Sequence, residues 1–187
     1  VKDGSDSQDL SRTIETFICR HNYSLFEAID VVFPPIINEI KAYSQEKKDL
    51  YTYIREAWGH FAQGPAGIIS RFGDEAVFSV DALGLRPLWK IETETSYLFS
   101  SEPGIIPSSD FCGDPKPIGP GEKIGLKWED DEIKVFSYDC FQQEVYERFS
   151  KRFELCNDSE RLLDTKIKQH VSKISSSKIH NGQYKAM

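Results

Sequence analysis

The sequence has few cysteines and no long apolar run, and both absences exclude classes of protein. The four cysteines lie far apart and form no Cys-x-x-Cys pair: Cys19, Cys112, Cys140 and Cys156. The sequence therefore predicts neither a zinc site nor a disulfide framework, and we expect a reducing cytoplasmic compartment. No apolar run approaches the roughly 20 residues that cross a bilayer, and the polar, acidic start is unlike a signal peptide.

The sequence also has a single methionine and no excess of positive charge. The only methionine is Met187, so we expect a processed product or a fragment of a longer chain. The net charge of -7 over 187 residues disfavours nucleic acid and an anionic membrane as partners. This length, with 39% hydrophobic residues, fits one soluble domain with an appendage.

The first third of the chain has apolar residues at helical spacing. A first helix begins at Ser5-Asp6-Ser7, and a second ends at Pro34-Pro35. The helical pattern resumes over residues 36–58, in which the charged segment 45–49 is either an exposed turn or a solvated helix face.

The rest of the chain predicts strands and then helices. Short runs rich in β-branched and aromatic residues, separated by turn residues, predict strands at 67–72, 75–80, 88–92, 97–100, 123–127 and 133–138. Helices are predicted at about 141–153 and 160–174, followed by a frayed tail at 175–185. This order indicates an α+β layered fold.

The connector between the second and third strands is unusually constrained. Gly84 can adopt a positive φ, Pro87 fixes its own φ, and Arg86 carries a planar guanidinium with five donors. In one interpretation Arg86 pairs with Asp81 or Glu102 and locks two strand ends. In the other it contributes to a site for an anion or a carboxylate ligand. Spacing alone does not separate the two.

Two strings around this connector resemble a known family. Residues 80–90, VDALGLRPLWK, and 97–106, YLFSSEPGII, are similar to the Asp, Gly-x-Arg-Pro and Ser-Glu motifs of class II glutamine amidotransferases. The closest likeness is to the amidotransferase domain of glutamate synthase, which shares the Gly64-Pro65-Ala66 run and a Pro-Gly turn at 119–122. Val80 and Ala82 depart from it, because the family more often has polar residues there.

The resemblance implies a narrower fold than the pattern does. It implies the αββα sandwich of N-terminal-nucleophile hydrolases, incomplete at its N-terminal side, over residues 1–151. Residues 152–187 would form a helical extension and a flexible tail. Asp81, Gly84, Arg86, Pro87 and Glu102 match motif and scaffold positions of the family.

The resemblance also implies a reaction and a substrate contact. In the family, an N-terminal cysteine attacks the side-chain amide of glutamine, its own amine acts as the base, and ammonia leaves. Asp6 matches the aspartate that binds the α-amino group of glutamine. The Ser5-Asp6-Ser7 segment also fits a helix cap, and the two roles are compatible. The cysteine, an arginine and an Asn-Gly pair are expected upstream, so no catalytic residue is predicted in this chain.

Neither the internal cysteines nor the histidines offer a replacement nucleophile or base. Cys112-Gly113 is superficially similar to the Cys-Gly that opens such enzymes, but it is internal and lacks a free amine. The four histidines show no spacing that links them to a cysteine or to each other: His21, His60, His170 and His180. No metal, nucleotide or flavin motif is present.

The expected function is part of a glutaminase domain in nitrogen metabolism. It would release ammonia from glutamine for a synthase partner domain or subunit, as in glutamate synthase, and this chain alone would be inactive. Any FMN or iron-sulfur cluster would belong to that partner, and no cofactor is expected here. The alternative is a non-catalytic relative that binds an amino acid or docks onto a partner.

Overall fold

The computed structural model describes residues 4–36, 40–58, 64–153 and 155. The chain divides into two units, Val1–Leu155 and Cys156–Met187. The second unit lies outside the described residues, as do the predicted helix at 160–174 and the predicted tail. None of the helices in the described part has the length and apolar character needed to span a membrane.

Three helices precede the first strand in the described part of the chain. They are α1 (Asp6–His21), α2 (Leu25–Val32) and α3 (Gln45–Trp58). Asn22 ends α1 in the left-handed conformation, with a φ of 55°. Ser24 and Glu27 then form a capping box that starts α2, so a single residue, Tyr23, separates the two caps.

The third helix is shorter than the predicted stretch at 36–58. It begins at Gln45, so the charged segment 45–49 is the start of the helix and not a turn. Leu50, Tyr51 and Ile54 form the buried face of α3. The prediction began too early because the apolar residues before Gln45 keep the helical spacing. In the structure, residues 41–43 form a turn and a bend.

Two antiparallel sheets follow the helices. The larger has the order β1-β2-β6-β7 and consists of β1 (Gly67–Phe72), β2 (Glu75–Val80), β6 (Lys123–Glu129) and β7 (Glu132–Phe136). The smaller has the order β4-β3-β5 and consists of β3 (Trp89–Glu92), β4 (Tyr97–Ser100) and β5 (Lys116–Pro117). The helix α4 (Tyr138–Arg152) comes last in the described part.

The predicted strands are confirmed, with local differences at their ends. Strand β3 begins one residue later than predicted, at Trp89, and β6 extends two residues further, to Glu129. The strand predicted at 133–138 ends at Phe136, because Ser137 occupies the cap position of α4 and Tyr138 is already helical. The two-residue strand β5 was not predicted, because a Pro-rich segment carries no alternating pattern. It pairs with β3 through Trp89 and Lys90.

Strand β2 lies between two apolar clusters. Val77 belongs to the cluster formed with α1, α2, α3 and α4. Phe78 and Val80 belong to a second cluster, which also contains residues of the smaller sheet and its flanks. In that cluster the rings of Phe78 and Phe99 are stacked, with centroids 3.4 Å apart. The fold is therefore α+β, as the sequence predicted, and its two antiparallel sheets share an apolar cluster.

Candidate functional site

A large cavity lined by described residues has a volume of about 1200 Å³. Four parts of the chain contribute most of its wall: the first two turns of α1, residues 64–69, residues 86–88 and residues 101–102. The wall therefore contains residues from four sequence motifs: Ser5-Asp6-Ser7, Gly64-Pro65-Ala66, the turn at 84–87 and the Ser101-Glu102 pair.

The beginning of α1 combines a helix cap with an unpaired carboxylate. The Ser5 hydroxyl accepts a hydrogen bond from the Gln8 backbone N–H at 3.3 Å and lies 3.0 Å from the Ser7 hydroxyl. Asp6 is exposed and lines the cavity. Its carboxylate accepts no hydrogen bond and forms no ion pair within the described part of the chain. The cap and the predicted ligand contact therefore use different side chains.

Asp81 organises the connector between β2 and β3. Its side chain is only 5% exposed, and its carboxylate accepts hydrogen bonds from four backbone N–H groups at 3.0–3.2 Å, those of Ala66, Leu83, Leu85 and Arg86. Backbone donors converging on one buried carboxylate fix the path of the loop. Asp81 is therefore a structural centre of the loop, and it does not line the cavity.

These hydrogen bonds also decide the charge of Asp81. Burial by itself raises the pKa of the carboxyl group, but the backbone donors of Leu85, Ala66, Arg86 and Leu83 together outweigh burial and lower the pKa below its ordinary value of 3.8. Asp81 is therefore ionised at neutral pH, and its charge strengthens each of the bonds that shape the loop.

The glycine in this loop is required for two reasons. Gly84 has a φ of +65°, which side chains rarely adopt, and a Cβ there would lie 3.0 Å from Pro120 Cγ. Its N–H donates to the Asp81 carbonyl at 2.9 Å, and the Gly121 N–H donates to the same carbonyl at 2.9 Å. The Asp81 loop and the Pro-Gly turn at 119–122 therefore form one packed unit.

Arg86 is presented at the cavity wall and is not locked to a carboxylate. The residue is exposed, and its side chain forms no ion pair with any residue in the described ranges. Asp81 contacts it only through the Arg86 backbone N–H, at 3.2 Å. Glu102 lines the same cavity, and its backbone N–H donates to the Ser100 hydroxyl at 3.1 Å. The ion pair that one interpretation expected, between Arg86 and Asp81 or Glu102, is therefore not formed in the described part of the chain.

The cysteines and histidines in the described ranges supply no alternative centre there. Cys19, Cys112 and Cys140 are free and exposed, and none of these three lines the large cavity. His21 packs against the Trp58 ring, with centroids 4.9 Å apart. Cys156 and the other three histidines lie outside the described residues. Within the described ranges, no group of three or more His, Cys, Asp or Glu side chains could hold a metal ion.

Several polar residues around the cavity and in the core were not predicted from the sequence. Asp9 and Thr13 follow Asp6 along the cavity wall at helical spacing. In the core, Lys123 Nζ lies 3.0 Å from Asp30 Oδ1, and both side chains are fully buried. The Tyr51 hydroxyl donates to Asp30 Oδ2 at 2.9 Å. Burial and the adjacent Asp30 charge raise the pKa of Tyr51 well above its ordinary value.

Comparison with protein families gives a match over most of the chain. Residues 1–147 match the model of a family described as glutamine amidotransferases class-II. No curated protein matches the chain. The matched range includes the whole cavity wall described above.

Proposed function

The chain belongs to the class II glutamine amidotransferases, and on this premise we propose that the large cavity binds glutamine for the release of its side-chain ammonia. The observation that carries the proposal is that Asp6, Arg86 and Glu102 line the same cavity. These residues lie far apart in the sequence, and their side chains make no ion pair with one another.

The charges of the cavity complement those of a free amino acid. Glutamine carries an ammonium group and a carboxylate, and the wall offers the carboxylates of Asp6 and Glu102 and the guanidinium of Arg86. Because Asp6 has no partner among the described residues, its carboxylate is available to the ligand ammonium group. The volume of about 1200 Å³ exceeds that of most small-molecule pockets, so a catalytic segment fits beside the substrate.

The proposed reaction is hydrolysis of the amide through a thioester. A cysteine thiolate attacks the amide carbon, the C–N bond breaks as the nitrogen takes a proton, and ammonia leaves. Water then cleaves the thioester and releases glutamate. The nucleophile is proposed to come from an upstream cysteine, since the three described cysteines do not line the cavity. The role of this chain is to bind and orient the substrate amino acid.

The finer architecture and the acceptor of ammonia are part of the same proposal. The apolar cluster shared by the two sheets, and the helical cluster on the other side of β2, support an αββα arrangement. The Gly-Leu-Arg-Pro turn at 84–87 supports the glutamate synthase type. In that case a synthase partner carries any FMN and iron-sulfur cluster and consumes the ammonia in the cytoplasm.

The test is glutamate release by the full-length protein and its Asp6→Asn variant. Loss of a charged hydrogen bond to the substrate should lower kcat/KM by about 10- to 100-fold, mainly through KM. The control is Glu15→Gln, which removes one negative charge from an exposed position of α1 outside the cavity. Unchanged kinetics in Asp6→Asn would refute the role of Asp6. Glutamine binding without any glutamate release would favour the non-catalytic alternative.

A further inference from the structure

A second cavity lies on a different part of the described molecule. Its volume is about 650 Å³, and its wall is formed by the beginning of α4, by β5 and by parts of β6 and β7. It shares no described lining residue with the large cavity. A volume of this size suits a metabolite-sized ligand.

One wall of this cavity contains a buried amide with an unmatched donor. Gln142 is 1% exposed and lines the cavity. Its Oε1 accepts a hydrogen bond from Lys47 Nζ at 2.9 Å, which assigns the amide orientation. Its Nε2 is buried and has no hydrogen-bond partner. A buried donor without an acceptor is costly, and an acceptor atom of a ligand in the cavity would satisfy it.

The beginning of α4 faces the same cavity and also lacks side-chain acceptors. Ser137 is at the cap position, but its side chain accepts no hydrogen bond from the first turn. Ser137, Asp139 and Cys140 line the cavity. The first N–H groups of a helix have no acceptor within the helix, and the helix dipole favours an anion beside them. The helix has 15 residues, so this end carries the full dipole.

Among the other polar groups of the wall, those that remain available to a ligand are mainly hydrogen-bond donors. Lys116 lines the cavity and forms no ion pair within the described part of the chain. The two carboxylates of the wall already have internal partners: Glu122 Oε2 accepts from the Gly119 N–H at 2.9 Å, and Asp139 Oδ1 lies 3.5 Å from Lys47 Nζ. Ile118 and Ile124 supply an apolar surface beside these groups.

The geometry points to a second ligand site, which binds a small carboxylate or phosphate attached to an apolar body. The anionic group accepts hydrogen bonds from the α4 N-terminus and from Gln142 Nε2, while Lys116 adds positive charge. The apolar body lies against Ile118 and Ile124. This site is independent of the proposed glutamine site, and its ligand makes no contact with Asp6 or Arg86.

The test uses matched probes on the isotope-labelled full-length protein, followed by nuclear magnetic resonance. Benzoate and phenyl phosphate carry the two anionic groups on the same ring, and benzamide has the shape of benzoate without its charge. We expect at least one anion to give saturable shifts at the amides of residues 138–142, with an affinity about tenfold or more above that of benzamide. The tighter anion identifies the head group. Equal binding of all three probes, or shifts confined to other residues, would overturn the site.

Two variants that add the same charge distinguish a specific binding site from a general effect of charge. Gln142→Glu keeps an acceptor for Lys47 but replaces the free donor with a carboxylate, so the affinity for the anion should fall by about tenfold or more. Gln143→Glu makes the same change at the next, exposed position of α4, outside the cavity, and should retain at least half of the affinity. Lys116→Gln should weaken binding about threefold. Equal losses in Gln142→Glu and Gln143→Glu, or no loss in Gln142→Glu, would refute the proposal.

Discussion

The two aspartates that carry the sequence motifs, Asp6 and Asp81, have opposite surroundings. Asp81 is 5% exposed, and four backbone N–H groups donate to its carboxylate. Asp6 is exposed on a cavity wall, and no donor in the described ranges reaches its carboxylate. The same residue type therefore has two different roles. One carboxylate shapes the loop that presents Arg86, and the other is available to a ligand.

Because of this difference, Asp81 should affect the stability of the fold, and Asp6 should affect ligand binding. A carboxylate that is saturated by protein donors cannot also bind a substrate, and its loss exposes those donors inside the fold. An unpaired carboxylate contributes little to folding, because it has no partner to lose. Substitutions of buried, paired charges should therefore change the free energy of unfolding, whereas substitution of Asp6 should change ligand binding.

The largest effect is expected where a buried charge loses its partner. Lys123→Met removes the cation that lies 3.0 Å from Asp30 in the core and leaves that carboxylate with the Tyr51 hydroxyl. The free energy of unfolding should fall by about 3–5 kcal/mol. Urea denaturation at pH 7 measures it. Lys127→Met is the control, because Lys127 lies on the same strand and pairs with the half-exposed Glu129. Similar losses in both variants would contradict the argument.

Asp81→Asn should have the next largest effect. The asparagine oxygen can accept only part of the four backbone hydrogen bonds, and its NH₂ group faces donors of the loop. We expect a loss of about 2–3 kcal/mol in the free energy of unfolding. Asp110→Asn, an exposed position in a 3₁₀ turn, should change it by less than about 0.5 kcal/mol. An equally small change in Asp81→Asn would show that the carboxylate does not hold the loop.

Gly84→Ala tests the second restraint on the same loop. An alanine there adopts an unfavourable φ of +65° and brings its Cβ to 3.0 Å from Pro120 Cγ. Gly73→Ala is a matched control, since Gly73 has a φ of +59° and no atom within 4 Å of the added Cβ. We expect losses of about 2 kcal/mol at Gly84 and about 1 kcal/mol at Gly73. Equal losses would mean that the contact with Pro120 does not restrain the loop.

The pH dependence of stability offers a smaller effect with a defined sign. The pKa of Asp81 is lowered from 3.8 in the folded protein, so the unfolded state binds the proton more tightly. The stabilisation by Asp81 is therefore complete above about pH 4 and is lost as the pH falls through the lower, folded pKa. The difference in unfolding free energy between the wild type and Asp81→Asn should shrink from pH 7 to pH 3. A difference that grows toward acid would contradict the lowered pKa.

The sequence predicted the features of the fold that depend on local pattern. Alternating and helical periodicities identified α1, α2 and the longer strands. They did not predict where α3 begins, because the apolar residues before Gln45 keep the helical spacing through a turn. They also missed β5, whose two residues are held by pairing with β3 and have no pattern of their own. In the second case the chain follows a tertiary contact that local spacing does not encode.

The site was predictable only in part, for a related reason. The family resemblance identified Asp6 as a substrate contact and Arg86 and Glu102 as motif positions, but it did not place the three residues at one cavity. The Lys123–Asp30 pair was missed, because a buried ion pair joins residues that are distant in the sequence. A signal did exist: α2 is apolar on all sides except for Glu27 and Asp30. A helix that is buried all around must find partners for such charges.

The smallest effect on stability is expected at Asp6, and it is the sharpest test of the contrast with Asp81. Asp6→Asn removes one favourable interaction with the dipole of α1, so the free energy of unfolding should fall by about 0.5 kcal/mol. Ser5→Ala, one residue earlier, removes the cap that accepts the Gln8 N–H and should cost about 1 kcal/mol. Glutamine affinity, measured by calorimetry, should follow the opposite order and fall mainly in Asp6→Asn. A loss of stability in Asp6→Asn as large as that in Asp81→Asn would mean that Asp6 also serves the fold.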